Sequence, residues 1–238
     1  MKKTLIATTL TAGLMGLASS ASALDVDFLT DVDGTNLGAT KTYGPITAAG
    51  FKYTPNTTYT AADLWQRQVP NDNGIGVCSE VTNAADGQCG NGDQNELSAM
   101  ENDEVIRLDA GGLDWTDLRV SSLDAGGTND NETGVVYFSD DAHANLDALT
   151  GTVFDFTNFG IEGSIWSAIG GVKTERYVFF RTDPNNCGSG VIPNSSCNND
   201  YLVKGASVVP IPAAAWLFGS AMLGLVGMGR RRAAKVAS

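Results

Sequence analysis

The sequence predicts an all-β protein: a β-sandwich or jelly-roll-like ectodomain between a cleavable N-terminal signal peptide and a single C-terminal transmembrane helix. Three observations support this prediction. Short runs rich in β-branched and aromatic residues alternate with Gly, Asn and Asp turns along most of the 238 residues. The N-terminus has the charge and hydropathy pattern of an export signal. Near the C-terminus, an uncharged apolar segment ends at an arginine cluster.

Residues 1–23 have the three parts of a secretory signal peptide. Lys2 and Lys3 form the basic start, residues 4–17 are mostly apolar, and Ala21 and Ala23 form a small-x-small cleavage site. We therefore expect signal peptidase to cut after Ala23. The alternative is a permanent N-terminal transmembrane helix, which is disfavoured because the apolar segment is short and rich in threonine.

Residues 24–207 are expected to form the ectodomain, and their pattern is that of many short strands. The predicted strands are residues 25–28, 46–53, 74–78, 104–108, 118–122, 135–138, 153–156, 177–181 and 202–208. Helical periodicity is weak, with short helical turns expected at residues 61–67 and 141–149. Many short strands separated by Gly and Asn turns indicate a sandwich or a jelly roll.

The four cysteines occur as two local pairs, Cys78 with Cys89 and Cys187 with Cys197. Export would place them in an oxidising compartment, where disulfides form and persist. Four cysteines allow about three pairings, and we favour the local one because each pair brackets a polar loop. A zinc site is disfavoured because the sequence has neither Cys-x-x-Cys nor interspersed histidines.

Residues 208–238 have the features of a membrane-anchored tail. Pro210 and Pro212 break regular structure, and residues 213–229 form a run of 17 uncharged residues, the short end of what spans a bilayer as a helix. Trp216 is placed for the headgroup level, and the cluster of Arg230, Arg231 and Arg232 would hold the end on the cytoplasmic side. A buried core helix is the alternative, but three arginines close to the terminus disfavour it.

The string Val-Pro-Ile-Pro-Ala from Val209 to Ala213, with the glycine-rich span and the arginines, closely resembles the PEP-CTERM sorting signal in its Val-Pro-Leu-Pro-Ala variant. The resemblance implies export by a Gram-negative bacterium that makes exopolysaccharide, and recognition and cleavage by exosortase, a membrane transpeptidase-like enzyme. It also implies that Pro210, Pro212 and Ala213 form the recognition box. Ile211 replaces the usual Leu, which leaves the subtype of the sorting enzyme open.

A second stretch resembles ectodomains that often accompany this tail. It comprises Gly74-Ile75-Gly76-Val77, then Asn95-Glu96-Leu97, then Glu104-Val105-Ile106-Arg107-Leu108. This resemblance implies a β-sandwich and no particular activity. The other interpretation is that the two glycines permit a tight strand start and that Glu96 caps a loop.

The charge of the mature chain excludes some partners. All 27 acidic residues but only nine of the 15 basic residues lie between the two end segments, so the net charge there is −18. Nucleic-acid binding rests on phosphate neutralisation, so no nucleic-acid partner is expected. The same charge repels anionic lipid headgroups, so membrane attachment is expected through the C-terminal helix alone.

No catalytic motif or resident cofactor is predicted. The single histidine, His143, lies in a polar loop, and there is no Gly-x-Ser-x-Gly elbow and no phosphate-binding loop. Structural Ca²⁺ is the one metal that stays a candidate, with weak candidate ligands among alternating Asp and Asn residues: Asp31, Asp33, Asn129 and Asn131. Plain turn formation is the alternative for these residues.

We expect the protein to be an exported component of the cell surface or of an exopolysaccharide matrix, with a structural or adhesive role and no enzymatic activity. The first alternative is a lectin-like carbohydrate-binding module, in which Trp65, Trp115 and Trp166, if exposed, would stack on sugar rings. The favoured interpretation of these tryptophans is that they belong to the core of the sandwich. The second is a secreted hydrolase that uses carboxylates alone.

Overall fold

Antiparallel β-strands make up most of the structure. The computed structural model describes residues 22–29, 32–54, 58–70, 72–78, 96–98, 103–123, 132–155, 161–183 and 200–210. The strands are β1 (Leu24–Asp27), β2 (Thr35–Gly38), β3 (Thr40–Tyr43), β4 (Ile46–Thr54), β5 (Thr58–Val69), β6 (Asp72–Cys78), β7 (Leu97–Ser98), β8 (Asp103–Asp109), β9 (Asp114–Ser121), β10 (Thr133–Ser139), β11 (Thr152–Asp155), β12 (Gly163–Ser164), β13 (Tyr177–Thr182) and β14 (Asp200–Val209). A 3₁₀ turn at Leu146–Ala148 and a one-turn helix α1, Trp166–Ile169, complete the described elements.

The strands form one curled antiparallel sheet, ordered β11-β10-β13-β8-β4-β5-β6-β14-β9-β12. Four further strands pair beside this path: β1 and β7 with β14, β2 with β5, and β3 with β4. Strand β5 is long enough to connect two halves of the sheet. Its first residues, 58–62, pair with β4, and residues 63–69 pair with β6. The sheet therefore continues through β5 from one half to the other.

The main hydrophobic core is built by both halves of the curled sheet. Ile106 of β8 and Phe180 of β13 come from one half, and Leu118 of β9 and Val203 of β14 come from the other; all four are fully buried in one cluster. The period of two in a strand explains this pattern, since alternate residues point to the same face. The all-β prediction is confirmed.

Each of the nine predicted strands overlaps a strand of the structure, but the sequence missed others. Strands β2, β3, β7 and β12 were not predicted, and the helical turn predicted at residues 61–67 is wrong, because this segment is the middle of β5. Strand pairing explains the error. Residues 61–62 pair with β4, residues 63–67 pair with β6, and residues 64–66 also pair with β2 on their other side. These hydrogen-bonded ladders override the local propensity. The segment predicted as a turn at 141–149 does contain the 3₁₀ turn.

No helix in the described part of the chain is long and apolar enough to cross a membrane. The predicted apolar core of the signal peptide and the predicted span at residues 213–229 lie outside the described residues, as do Pro212, Ala213, Trp216 and the arginines at 230–232.

Candidate functional site

The two predicted processing junctions lie beside each other. Strand β1 starts at Leu24, directly after exposed Ser22 and Ala23, which have no regular structure. Strand β14 ends at Val209, next to exposed Pro210. The two strands pair antiparallel, with Leu24 opposite Val208. The chain therefore enters and leaves the sheet at one place. Ala21 of the predicted cleavage site lies outside the described residues.

Arg119 on β9 fastens β1 to β9 across the intervening strand β14. Its Nη2 lies 2.6 Å from Oδ1 of Asp25 and 3.1 Å from Oδ1 of Asp27, and it also donates to the carbonyl oxygen of Val26 at 3.0 Å. The guanidinium reaches β1 across Gly205, where a Cβ would come within 2.6 Å of Nη2. A Cβ at position 205 would also lie 2.5 Å from the backbone carbonyl oxygen of Val26, so the close approach of β1 requires glycine there, which the sequence alone did not indicate.

A shallow depression of about 410 Å³ is bounded by residues 24–27 and 42–45. Asp25 and Asp27 are among its lining residues; their side chains are 63% and 57% exposed, and both carboxylates are ion-paired with Arg119. A glycosidase needs one carboxyl group protected from water so that it can act as a general acid. These two exposed, cation-bound groups do not meet that requirement.

Strand β14 pairs with more strands than any other strand in the described part of the chain. It pairs with β1, β6, β7 and β9, and its Tyr201 hydroxyl donates to the carbonyl oxygen of Arg181 at 3.0 Å. Pairing persists to the last residue, since Val208 lies opposite Trp115 and Val209 opposite Asp114. Val208 is fully buried. No unpaired linker therefore separates the sheet from Pro210.

Cys78, the one cysteine within the described residues, is disulfide-bonded. It is 2% exposed and packs against Trp65. Cys89, Cys187 and Cys197 lie outside the described residues, so the predicted local pairing stays a prediction.

Among the calcium candidates, Asp33 is the one that the structure describes, and it serves the turn before β2. Its Oδ1 accepts the backbone N–H of Gln68 at 2.8 Å, and the N–H of Gly34 donates to the Gln66 carbonyl at 2.9 Å. These bonds tie the turn to β5. Throughout the described ranges, no group of three or more His, Cys, Asp or Glu residues is arranged to hold a metal ion. Asp31, Asn129 and Asn131 lie outside those ranges.

The tryptophans proposed for sugar stacking are core residues. Trp115 is fully buried and donates from Nε1 to the carbonyl oxygen of Glu175 at 2.8 Å. Trp65 is 5% exposed, and Trp166 is partly buried against the main core. Burial of Trp65 and Trp115 agrees with the favoured interpretation that these rings belong to the core, and the exposure that the lectin alternative requires is not met at these two positions. Their large apolar surfaces are buried by the sheet itself.

A second cluster, which we call the covered face, lies on the outer side of β4, β5, β8, β10 and β13 beneath residues 140–149. Its members are mainly aromatic: Tyr53, Tyr59, Val105, Tyr137, Tyr177 and Phe179. Polar contacts hold the covering segment in place. The Tyr59 hydroxyl donates to the carbonyl oxygen of Ala144 at 2.8 Å, and Arg107 Nη1 donates to that of Ala142 at 2.6 Å.

Buried Arg181 provides the charged centre of the covered face. Its Nε donates to Oδ1 of Asp103 at 2.6 Å, its Nη1 donates to Oδ1 of Asp147 at 2.9 Å, and its guanidinium lies 5.0 Å from the centre of the Tyr53 ring. Burial raises the pKa of Asp103 against the opposing effect of the Arg181 ion pair. Burial by itself would lower the pKa of Arg181, but the ion pairs with Asp103 and Asp147 have the larger combined effect, so the pKa of Arg181 is raised.

The rings of the covered face already have protein partners. Arg107 lies 4.9 Å from the ring centre of Phe51 and 5.3 Å from that of Tyr177. Tyr59 contacts the rings of Tyr53 at 5.1 Å and of exposed His143 at 5.7 Å. A sugar ring stacks on an open aromatic face. The arrangement instead fastens the covering segment to the sheet.

Glu96 links three parts of the fold. It is 4% exposed, its Oε1 lies 3.1 Å from Nη1 of Arg67 on β5, and it accepts a hydrogen bond from Oγ of Ser122, next to the end of β9. Ser122 has a φ of 63°, a left-handed conformation that is unusual for a non-glycine residue. Glu96 thus lies buried against β5 and the end of β9, immediately before β7. The sequence indicated its position but not its partners.

Comparison with known proteins identifies no relative. No protein-family model matches the chain, and neither does any curated protein sequence or any solved structure. The case for a function therefore rests on the residues and on the geometry described above.

Proposed function

We propose that the chain is the precursor of an exported protein with a structural or adhesive role at the cell surface or in the exopolysaccharide matrix of a Gram-negative bacterium. Residues 1–23 are its signal peptide, residues 24–207 a sandwich-like or jelly-roll-like ectodomain, and residues 208–238 a sorting region of the PEP-CTERM type. The span at 213–229 anchors the precursor in the inner membrane. An exosortase-type transpeptidase then processes the tail.

One observation carries this proposal: the described sheet begins and ends where the sequence motifs place the processing junctions. Strand β1 starts at Leu24, one residue after the predicted signal-peptidase site, and β14 ends at Val209, one residue before Pro210. Ser22 and Ala23, directly before β1, are exposed and have no regular structure, so the predicted cleavage point after Ala23 is accessible beside the sheet. The domain thus fits between the two junctions without losing a strand.

The chemistry of the ectodomain supports an extracellular location. Disulfide-bonded Cys78 is typical of proteins in oxidising compartments. The net charge of −18 between the end segments keeps such a protein soluble and away from anionic lipid.

Two features of the described residues favour a structural role over the lectin and hydrolase alternatives. Trp65 and Trp115 are buried, and the rings of the covered face contact other protein groups. Two carboxylate pairs are each bound by one arginine: Asp25 and Asp27 by Arg119, and Asp103 and Asp147 by Arg181. A sugar-stacking platform or a free acid–base pair would have supported the alternatives.

Mass spectrometry of the protein from its native host tests the proposal. We expect a mature N-terminus at Leu24 and loss of residues 230–238 from the surface form. Hydrolysis would add one water across the broken peptide bond, leaving a carboxylate on the retained chain and an amine on the released tail. The double variant Pro210→Ala/Pro212→Ala should stay uncut in the membrane fraction, whereas Pro45→Ala, exposed in a turn, should be processed normally. A surface form that keeps residues 230–238 contradicts the proposal.

A further inference from the structure

Strand β1 occupies a binding edge that is specific for its side chains. We call this edge, residues 205–208 of β14 together with Arg119 of β9, the β1 seat. Nη2 of Arg119 forms ion pairs with the carboxylates of both Asp25 and Asp27. Oγ of Ser207 donates to Oδ1 of Asp25 at 3.0 Å. The β1 seat therefore selects a strand with acidic residues two positions apart, which lie on one face of the strand.

The β1 seat also binds the main chain and the apolar face of the strand. Arg119 donates to the carbonyl oxygen of Val26 at 3.0 Å, and the N–H of Phe28 donates to the carbonyl oxygen of Lys204 at 2.9 Å. Val26 is partly buried against the main core, and Phe28 is fully buried in it. Gly205 permits the close approach of the strand. Main-chain hydrogen bonds combined with sites for alternate side chains are how sheet edges recognise extended peptides.

Strand β1 is the described strand that is best placed to leave the sheet. It pairs with β14 alone among the described strands, and three of its four residues are exposed. Signal-peptidase cleavage after Ala23 would make Leu24 the first residue of the mature chain. The strand could then leave one seat and enter another without threading any other part of the chain through the sheet. This step rests on the proposed function.

We propose that β1 exchanges between copies of this protein, so that the β1 seat of one molecule binds residues 24–28 of a second copy. A second copy is the occupant that fits, because its Asp-Val-Asp-Phe run from Asp25 to Phe28 supplies the carboxylates and apolar side chains that the seat binds. Each exchanged strand makes the contacts that it makes within one chain, so exchange costs little. Reciprocal exchange closes a dimer, whereas exchange from one copy to the next extends a chain of linked molecules.

The test is disulfide trapping between two variants of the full-length chain that are produced together in one host. One carries Asp25→Cys and the other Ser207→Cys, at positions that lie opposite each other in the ladder. With oxidised glutathione as the oxidant, exchange should yield a disulfide that links one copy of each variant. The matched control combines Thr42→Cys with Thr47→Cys, which lie opposite each other in the β3–β4 hairpin with their Oγ atoms 3.1 Å apart. A hairpin inside the chain cannot exchange in this way, so this pair should give no linked copies above the level of the natural protein.

Sedimentation of the natural mature protein is a second measurement, which does not depend on the introduced thiols. We expect species larger than one chain that an excess of the peptide Leu-Asp-Val-Asp-Phe, residues 24–28, converts to single chains. Selective linkage of the first pair, or oligomers that this peptide dissociates, supports the exchange. Linkage that is absent or equal in the two pairs, together with single chains alone in sedimentation, overturns the exchange and leaves the proposed function standing. Retention of residues 1–23 and 230–238 by the natural protein overturns the proposed function, whatever its oligomeric state.

Discussion

Replacing Arg181 by Met tests whether the covered face depends on its buried charge. The Arg181 side chain is 5% exposed, and those of its partners Asp103 and Asp147 are 21% and 41% exposed. Breaking a buried ion pair by removing one partner costs about 3–5 kcal/mol. Water can solvate Asp147, so we expect the lower end, ~3 kcal/mol. For a domain of this size, that loss lowers the Tm by about 6–12 °C.

Thermal and denaturant unfolding of the purified mature protein measure this effect. The matched control is Arg176→Met. Arg176 is also bound by both oxygens of an aspartate, Asp109, and lies 5.0 Å from a tyrosine ring centre, but it is exposed, so its loss should change the Tm little. The double variant Arg181→Met/Asp103→Asn should recover part of the lost stability, because it also removes the Asp103 carboxylate that Arg181→Met leaves without its cation.

The pH dependence gives a second measurement of the same effect. Because the pKa of Asp103 is raised, its contribution to stability is present at low pH and is lost as the pH rises through the folded value. The deficit of Arg181→Met should therefore shrink when the pH falls from about 7 to about 4. Equal losses for Arg181→Met and Arg176→Met, or no recovery in the double variant, would refute the reasoning.

Three further predictions concern other parts of the fold. Burial favours a higher pKa for Asp109, but hydrogen bonds from Arg176 and Gly111 prevail and lower it. The contribution of the Asp109 carboxylate to stability is therefore present above about pH 4 and is lost as the pH falls through its lowered pKa in the folded protein. In denaturant unfolding, Asp109→Asn should be less stable than the natural protein at about pH 7 and equal to it at about pH 2. Gly205→Ala would place a Cβ 2.5 Å from the carbonyl oxygen of Val26, and we expect a loss of about 1–3 kcal/mol and easier proteolysis of β1; unchanged unfolding would contradict this. Non-reduced peptide mapping should yield Cys78–Cys89 and Cys187–Cys197, and Cys78→Ser should cost about 2–3 kcal/mol; a crossed pairing would refute the local assignment.

The strands that were predictable are those whose local pattern agrees with their place in the sheet. In β13 and β10, runs such as Tyr177-Val178-Phe179-Phe180 are strongly β-forming and buried on both faces. In contrast, β5 contains Ala61, Ala62 and Asp63, which locally favour helix or turn. Its strand conformation comes from pairing with residues distant in the sequence, and a local sequence pattern carries no information about that pairing.

The same distinction between local pattern and tertiary contact applies to the candidate site. The processing junctions are predicted from short contiguous strings beside Ala23 and Pro210, and they stay predictions. The fastening of β1 could not, because Arg119 lies 94 residues from Asp25 along the chain. Only the antiparallel order of β1, β14 and β9 brings the two together. The exposure of each tryptophan is likewise a tertiary property, for which the sequence offered just the general preference for the core that Trp65 and Trp115 follow.

Three arginines attach to the sheet those segments that the hydrophobic core secures weakly. Arg67, Arg119 and Arg181 each lie on a long strand and each bind carboxylates from a short or irregular segment: Glu96 before β7, Asp25 and Asp27 of β1, and Asp147 of the segment over the covered face. These segments are short, and in β1 they are largely exposed, so apolar burial alone secures them weakly. In a chain where acids outnumber bases, attaching several carboxylates to one guanidinium limits their mutual repulsion. The short strand β1 is thus held to the sheet both by its ladder with β14 and by the guanidinium of Arg119, which binds two of its four residues through their carboxylates.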